Sequence, residues 1–253
     1  MKWRLIEQEA YDAAINMGID HAIYESVAIG RENPTIRFYK WKNRAVSLGA
    51  YQNPKDINFE ACKKHNVQIT RRMTGGRAVF HDVNDLTYSV IAPIRVFSYS
   101  IDKAYKAVCY WIIDALTELG IGAELENKND IVVKGRKISG NASRAMEKGV
   151  YLQHGTLVYD IDAKLMSAVL NVPKESIRAK VSSIYQNKKI SKDEVYNALK
   201  ASFVFNKDFK IGSLSQYELM RAKDLAEARY SNILLPPGSF MKSRGACYVE
   251  RGA

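Results

Sequence analysis

The chain holds 253 residues, 47% of them hydrophobic and 26% charged, with a formal charge of +11. That is enough for one large folded domain. No apolar run is long enough to cross a bilayer and the N-terminus lacks the apolar core of a secretion signal, so a cytoplasmic protein with no membrane partner is expected. Positive charge is spread in runs no longer than Lys63-Lys64 and Lys188-Lys189, without aromatic interleaving; this weighs against nucleic acid and toward an acidic protein or a small anion.

Residues 9–27 set Ala10, Ala13, Ala14, Met17, Ile19, Ala22 and Ile23 at helical spacing, which predicts a first helix packed on a sheet. Residues 35–41 and 45–49 are β-like, and Lys42-Asn43-Arg44 between them suggests a hairpin. A short helix over 58–65 and a strand over 67–70 lead into the run 71–82, Arg-Arg-Met-Thr-Gly-Gly-Arg-Ala-Val-Phe-His-Asp; residues 86–92 form a further strand, stopped by Pro93. Ser100 caps the clearest helix, whose stripe of Tyr105, Val108, Ile112, Ala115, Leu116 and Leu119 faces a core and which Gly120 closes. On it, Cys109 and Trp111 need no role beyond packing.

Residues 131–133 and 136–139 flank the turn Lys134-Gly135 as a hairpin, and 149–159 is a strand pair or one bent strand with Gly155 as a bulge. From Asp162 the chain turns helical. A short helix spans 164–170, and capping boxes at Ser191/Glu194 and Ser215/Glu218 open helices that run to about Phe203 and to Arg229. Pro236 and Pro237 end helical structure. The expectation is one domain over 1–232, a tail over 233–253 and no separate accessory domain.

Chemistry concentrates in two runs. Gly75 and Gly76 let main-chain N–H groups approach an anion while Arg71 or Arg72 offers a forked donor. On its own such a run is better read as a plain loop between strands. The second run, Lys134-Gly-Arg-Lys-Ile-Ser-Gly-Asn-Ala142, is basic and rich in small residues. Three cysteines, Cys62, Cys109 and Cys247, and four scattered histidines have no metal-type spacing.

Together these runs resemble the lipoate-protein ligases, within the larger group that includes biotin ligases and lipoyl or octanoyl transferases. The matching pieces are 71–82, Asn129 to Val133, Gly135 to Ala142 and His154-Gly155-Thr156-Leu157, in the family's order and separation, with weaker matches at Arg37 to Tyr39, Leu48-Gly49 and Gln52-Asn53. The biotin-ligase glycine signature fits less well. The resemblance implies an α/β fold of the α+β type, with a mixed, largely antiparallel sheet flanked by helices and related to the class II synthetase core. It also implies ATP and Mg²⁺, lipoate as substrate and a lipoyl-adenylate intermediate. The acceptors it implies are lipoyl domains of 2-oxoacid dehydrogenase complexes or the glycine-cleavage H-protein.

On that basis Arg72, Gly75 and Gly76 would hold nucleotide phosphates, Arg77, Ala78, Val79 and Phe80 would line the nucleotide, and Asp130 would help hold Mg²⁺. Lys137 would touch both the lipoate carboxylate and the α-phosphate, offsetting the repulsion of two anions that must meet. Arg72, Gly76, His81, Lys137, Gly140, Ala142 and His154 would line the lipoyl pocket, and Asp82 would orient Arg71 or Arg72. Two departures stand out. Arg77 occupies the place of a third glycine, as is familiar in the cysteine-dependent acyl transferases, yet residues 124–133 lack the cysteine on which those transferases carry the acyl group. No accessory domain is expected here either, so a second polypeptide supplies that part, as in the archaeal two-subunit ligases, or the chain acts alone; the first, with a small partner subunit needed for adenylation, is the working expectation. ATP-dependent lipoate ligation leads, octanoyl or lipoyl transfer between carriers without ATP is the alternative, and a basic nucleic-acid binder is the remote one.

Overall fold

The computed structural model describes residues 1–145 and 149–233. Its strands are β1 (Trp3–Tyr11), β2 (Thr35–Trp41), β3 (Ala45–Leu48), β4 (Gln68–Arg71), β5 (Val79–His81), β6 (Leu86–Pro93), β7 (Glu124–Glu126), β8 (Asp130–Val133), β9 (Arg136–Ala145), β10 (Val150–Leu157) and β11 (Phe209–Ile211). The helices are α1 (Ala13–Ala28), α2 (Phe59–Lys64), α3 (Ile101–Glu118), α4 (Ala163–Leu170), α5 (Lys174–Lys180), α6 (Ile184–Asn187), α7 (Lys192–Val204) and α8 (Gln216–Leu225). None of the described helices is long and apolar enough to cross a membrane.

Strand alternation sorts side chains into two cores. On one face of the large sheet Ile36, Phe38, Tyr88 and Tyr151 pack under the apolar stripes of α3 and α7, with Ile112, Leu116, Leu199 and Phe203. On the other face Tyr39, Trp41, Ile91 and Leu152 meet α1 and α8 through Ile23, Ala22 and Leu225. The large sheet runs β11-β1-β2-β6-β10-β9-β8-β7 and is antiparallel except for β11-β1 and β1-β2. A small sheet, β4-β3-β5, rests on α2 and α4 through Val46, Leu48, Phe80, Leu165 and Val169. The expected mixed, largely antiparallel sheet flanked by helices is therefore present.

Several expectations are corrected. β2 and β3 form no hairpin: β2 pairs with β1 and β6 in the large sheet, β3 with β4 and β5 in the small one. Lys42-Asn43-Arg44 carries no glycine to set a tight turn, and long-range pairing decides instead. Residues 3–11 are a strand that the charged N-terminus obscured; Arg4 is accommodated in the interior by a two-pronged contact with Glu218 of α8, at 2.8 and 2.6 Å. Pro93 stays in β6, opposite Val150, and β10 runs through Gly155 without a bulge. α5, α6 and β11 were not anticipated. The Lys134-Gly135 turn does close the β8-β9 hairpin, with φ of 51° and 69°, and both capping boxes form. Most of the expected tail lies outside the described residues.

Candidate active site

Every second residue of β2, β6 and β10 on the α1 face is large or polar, and together they floor a cavity at the junction of the two sheets. Tyr39, Trp41, Thr87, His154 and Thr156 come from these strands, Met17 from α1, Ser47 and His81 from the small sheet, and Asp130, Lys137, Gly140 and Ala142 from the β8-β9 hairpin. The cavity measures about 340 Å³. Met17, Tyr39, Trp41 and Ala142 supply apolar lining.

The mouth is charged. Lys137 Nζ lies 2.6 Å from Asp130 Oδ1, and both side chains are part-exposed, at 37% and 23%. Gly140 makes room for this arrangement, since a Cβ there would fall 2.8 Å from Lys137 Cε and 2.9 Å from Nζ. Asn129 steadies the carboxylate by donating to Asp130 Oδ1 at 2.8 Å.

The glycine turn forms the opposite rim. Arg72 is its internal brace: the guanidinium donates to the carbonyls of Ser47 (2.8 Å), Gly75 (2.7 Å) and Arg77 (2.9 Å) and to Thr74 Oγ1 (3.1 Å). Burial brings its pKa down to about 10. Arg71 holds the adjoining loop through the carbonyls of Gly49 and Gln52. Gly76 has φ of +100°, and its carbonyl abuts Gly49 so closely that a Cβ on Gly49 would lie 1.9 Å away. Gly76 and Arg77 remain exposed at the rim.

Beneath the cavity both histidines are fully engaged. His154 Nδ1 lies 3.2 Å from Asp20 Oδ2 and Nε2 2.7 Å from Thr74 Oγ1; a carboxylate only accepts, so Nδ1 carries the proton. Burial pushes the Asp20 carboxyl up, but the His154 hydrogen bond and the Arg37 charge outweigh it and hold the group below its ordinary value. His81 stacks on Trp41 at 4.1 Å and bonds Ser47 Oγ (2.8 Å) and Thr156 Oγ1 (3.1 Å). Burial, then the Arg72 and His154 charges, drive its pKa well down, leaving it neutral. Neither ring has a free nitrogen for proton transfer, so both serve as wall and brace.

Of the expected site residues, Arg72, Gly76, Arg77, Ala78, Val79, His81, Asp130, Lys137, Gly140, Ala142 and His154 line the cavity, while Gly75 and Phe80 do not. Phe80 points into the core beneath the small sheet. Asp82 braces neither Arg71 nor Arg72; it accepts from Arg44 at 2.8 Å. Sequence reasoning missed Met17, Tyr39, Trp41, Ser47, Thr87, Asn129, Asn141 and Thr156 as lining residues, and Asp20 beneath them. Among the described residues no group of three or more His, Cys, Asp or Glu could hold a metal; Asp130 is the one carboxylate on the cavity wall and is engaged with Lys137. Cys62 and Cys109 are buried away from the cavity, and burial raises their thiols to about 11 and about 12. Cys247 lies outside the described residues.

Comparison with known proteins bears on the family and the fold. The family model for the lipoyl protein ligase A/B catalytic domain matches residues 12–204. An octanoyltransferase LipM of Brevibacillus brevis is 32% identical, over 91% of this chain and 96% of the relative. Among solved structures, a bi-partite lipoate protein ligase of Thermoplasma acidophilum, described with its E2 lipoyl domain, superposes with a TM-score of 0.82 at 29% identity, covering 94% of this chain and 97% of the other. A lipoate-protein ligase A bound with ATP gives 0.82 at 31% identity, covering 92% and 97%.

Proposed function

Since the chain belongs to the lipoyl protein ligase A/B catalytic family, we propose that it joins an octanoyl or lipoyl group to a lysine amine of a lipoyl domain. One observation carries the reading: a cavity with apolar lining opens at a mouth where the Lys137 amine, 2.6 Å from Asp130, can meet the carbonyl end of a medium-length acyl chain. The acceptor nitrogen bonds to the acyl carbon, and the bond from that carbon to its activating group breaks. Negative charge develops on the carbonyl oxygen and the leaving group. Lys137 stabilises that charge, and losing one such donor costs roughly 3 kcal/mol or more in the barrier.

On the source of the acyl group, the named relatives favour transfer over the expected ATP-dependent ligation. The octanoyltransferases at 32% identity support a carrier thioester as donor, its thiol leaving with the proton. One observation favours ATP: no thiol lines the cavity among the described residues, so a covalent acyl-enzyme has no nucleophile there. Under that second reading the rim at Gly76 to Val79 holds the nucleotide phosphates, and Lys137 lies between the acid's carboxylate and the α-phosphate. Mg²⁺ would be held chiefly by phosphate oxygens, with Asp130 as its protein ligand.

Weighing an apo lipoyl domain by mass spectrometry after incubation separates the routes. One arm supplies octanoyl carrier protein without ATP, the other octanoate or lipoate with ATP and Mg²⁺. A mass gain in the first arm supports transfer, a gain only in the second supports ligation, and no gain in either overturns the proposal. A chain with Cys62, Cys109 and Cys247 all changed to Ala is expected to keep its activity unless an acyl-enzyme forms.

A further inference from the structure

Beside the acyl cavity lies a larger one, of about 650 Å³, between the ends of β5 and β9 and helices α4 and α5. Consecutive residues divide between the two: His81 and Lys137 line the first, Asp82 and Arg136 the second. Side chains of consecutive strand residues point to opposite faces, but Lys137 is also bridged to Val181, which lines the larger cavity, so the backbone that carries Lys137 forms part of that cavity's wall. The Lys137 carbonyl also accepts from Ser182 N–H at 2.7 Å, which ties the segment after α5 to β9.

The charges in this groove are unbalanced. Arg44 is matched by Asp82 at 2.8 Å and approaches Asp162 at 3.9 Å. Arg136, Lys164, Lys174 and Arg178 form no salt bridge among the described residues, and the remaining carboxylate, Asp160, accepts the Ile161 N–H at 2.8 Å. Ile177 is buried and fixes the rotation of α5. Lys174 and Arg178, one turn apart, therefore share the face that lines the groove. Arg44, Arg136, Lys164, Lys174 and Arg178 outnumber Asp82, Asp160 and Asp162, so this concave surface is net positive and focuses a positive potential.

Resting on the function proposed above, we propose that this groove docks the acceptor protein, receiving acidic side chains that flank its target lysine while that lysine turns into the Lys137 mouth. The cations come from three elements, β9, α4 and α5, a spread that fits a protein surface better than one compact anion. The contact is electrostatic, so it weakens with salt and governs acceptor binding while leaving the chemical step alone.

The test is steady-state acyl transfer to a recombinant apo lipoyl domain, at low and physiological salt, using wild type, Lys174→Gln/Arg178→Gln and Lys174→Glu/Arg178→Glu, each with a wild-type unfolding midpoint. Charge reversal is expected to raise KM for the domain about tenfold or more at low salt and the neutral pair less, with kcat and the acyl-donor KM unchanged within about twofold; the salt dependence of wild-type KM shrinks in both variants. A wild-type KM for the domain in the reversed pair, or an equal rise in the donor KM, overturns the docking site while the proposed function stands. Failure of wild type to modify any lipoyl domain instead removes the function and the docking site with it.

Discussion

Asp20 and Arg37 meet at 2.8 Å and Asp130 and Lys137 at 2.6 Å, yet the side chains of the first pair are each 2% exposed and those of the second 23% and 37%. Asp20 also accepts from Ser89 and His154, and Arg37 is further held by Asn16. No oxygen or guanidinium in that cluster is free to leave its partner without stranding a buried charge. Lys137 can swing from Asp130 to an incoming anion, because water and ligand can both take up what is released. Under the proposed function, burial and extra partners make the first pair a brace, while exposure leaves the second available to a ligand.

The comparison breaks most severely if the buried pair proves dispensable. Asp20→Ala leaves Arg37 unpaired in the interior, and a loss of about 3–5 kcal/mol in unfolding free energy is expected by urea titration. A stability within error of wild type would move Asp20 out of the framework.

Acid sensitivity sharpens the contrast, because the braced half holds neutral histidines. His21 bonds Tyr230 Oη at 2.8 Å, and its burial pulls the imidazole from the usual 6.5 to about 4, with nearby Glu25 opposing and Arg229 assisting. The unfolded chain therefore takes up this proton first as pH falls. Stability from this group is full above 6.5 and is lost between 6.5 and about 4, by roughly 3 kcal/mol. The difference in unfolding free energy between wild type and His21→Gln should grow by that amount from pH 4 to 6.5 and then level off. A pH-independent difference would mean that His21 titrates alike in both states.

A smaller effect tests the glycine rim. Gly49→Ala drives a Cβ into the Gly76 carbonyl at 1.9 Å, and a loss of about 1–3 kcal/mol in stability is expected from overpacking. Acyl transfer should fall with it, since the turn must shift.

The two halves of the site were unequally legible from sequence. Arg72, Gly76 and Lys137 could be found because each lies in a short run that resembles a known family's motif, and β4, β5 and β9 carry those runs to one place. Met17, Tyr39 and Trp41 could not, because a large apolar side chain at strand or helix spacing reads the same whether it faces a core or a ligand. Asp20 was hidden in a helix whose apolar spacing drew the eye, and its partners Arg37 and His154 lie 17 and 134 positions away. Local signals fared best where the structure itself is local, as in the capping boxes and the Lys134-Gly135 turn. The β2-β3 hairpin failed because sheet partners were chosen by the whole fold.

The most direct measurement pairs the turnover of Lys137→Met with its unfolding free energy, using an apo lipoyl domain as acceptor. If the exposed amine serves chemistry, acyl transfer falls roughly 100- to 1,000-fold while stability stays within about 0.5 kcal/mol of wild type. Transfer preserved to within a few-fold, or a stability loss as large as that of Asp20→Ala, would contradict the assignment of Lys137 as the working charge.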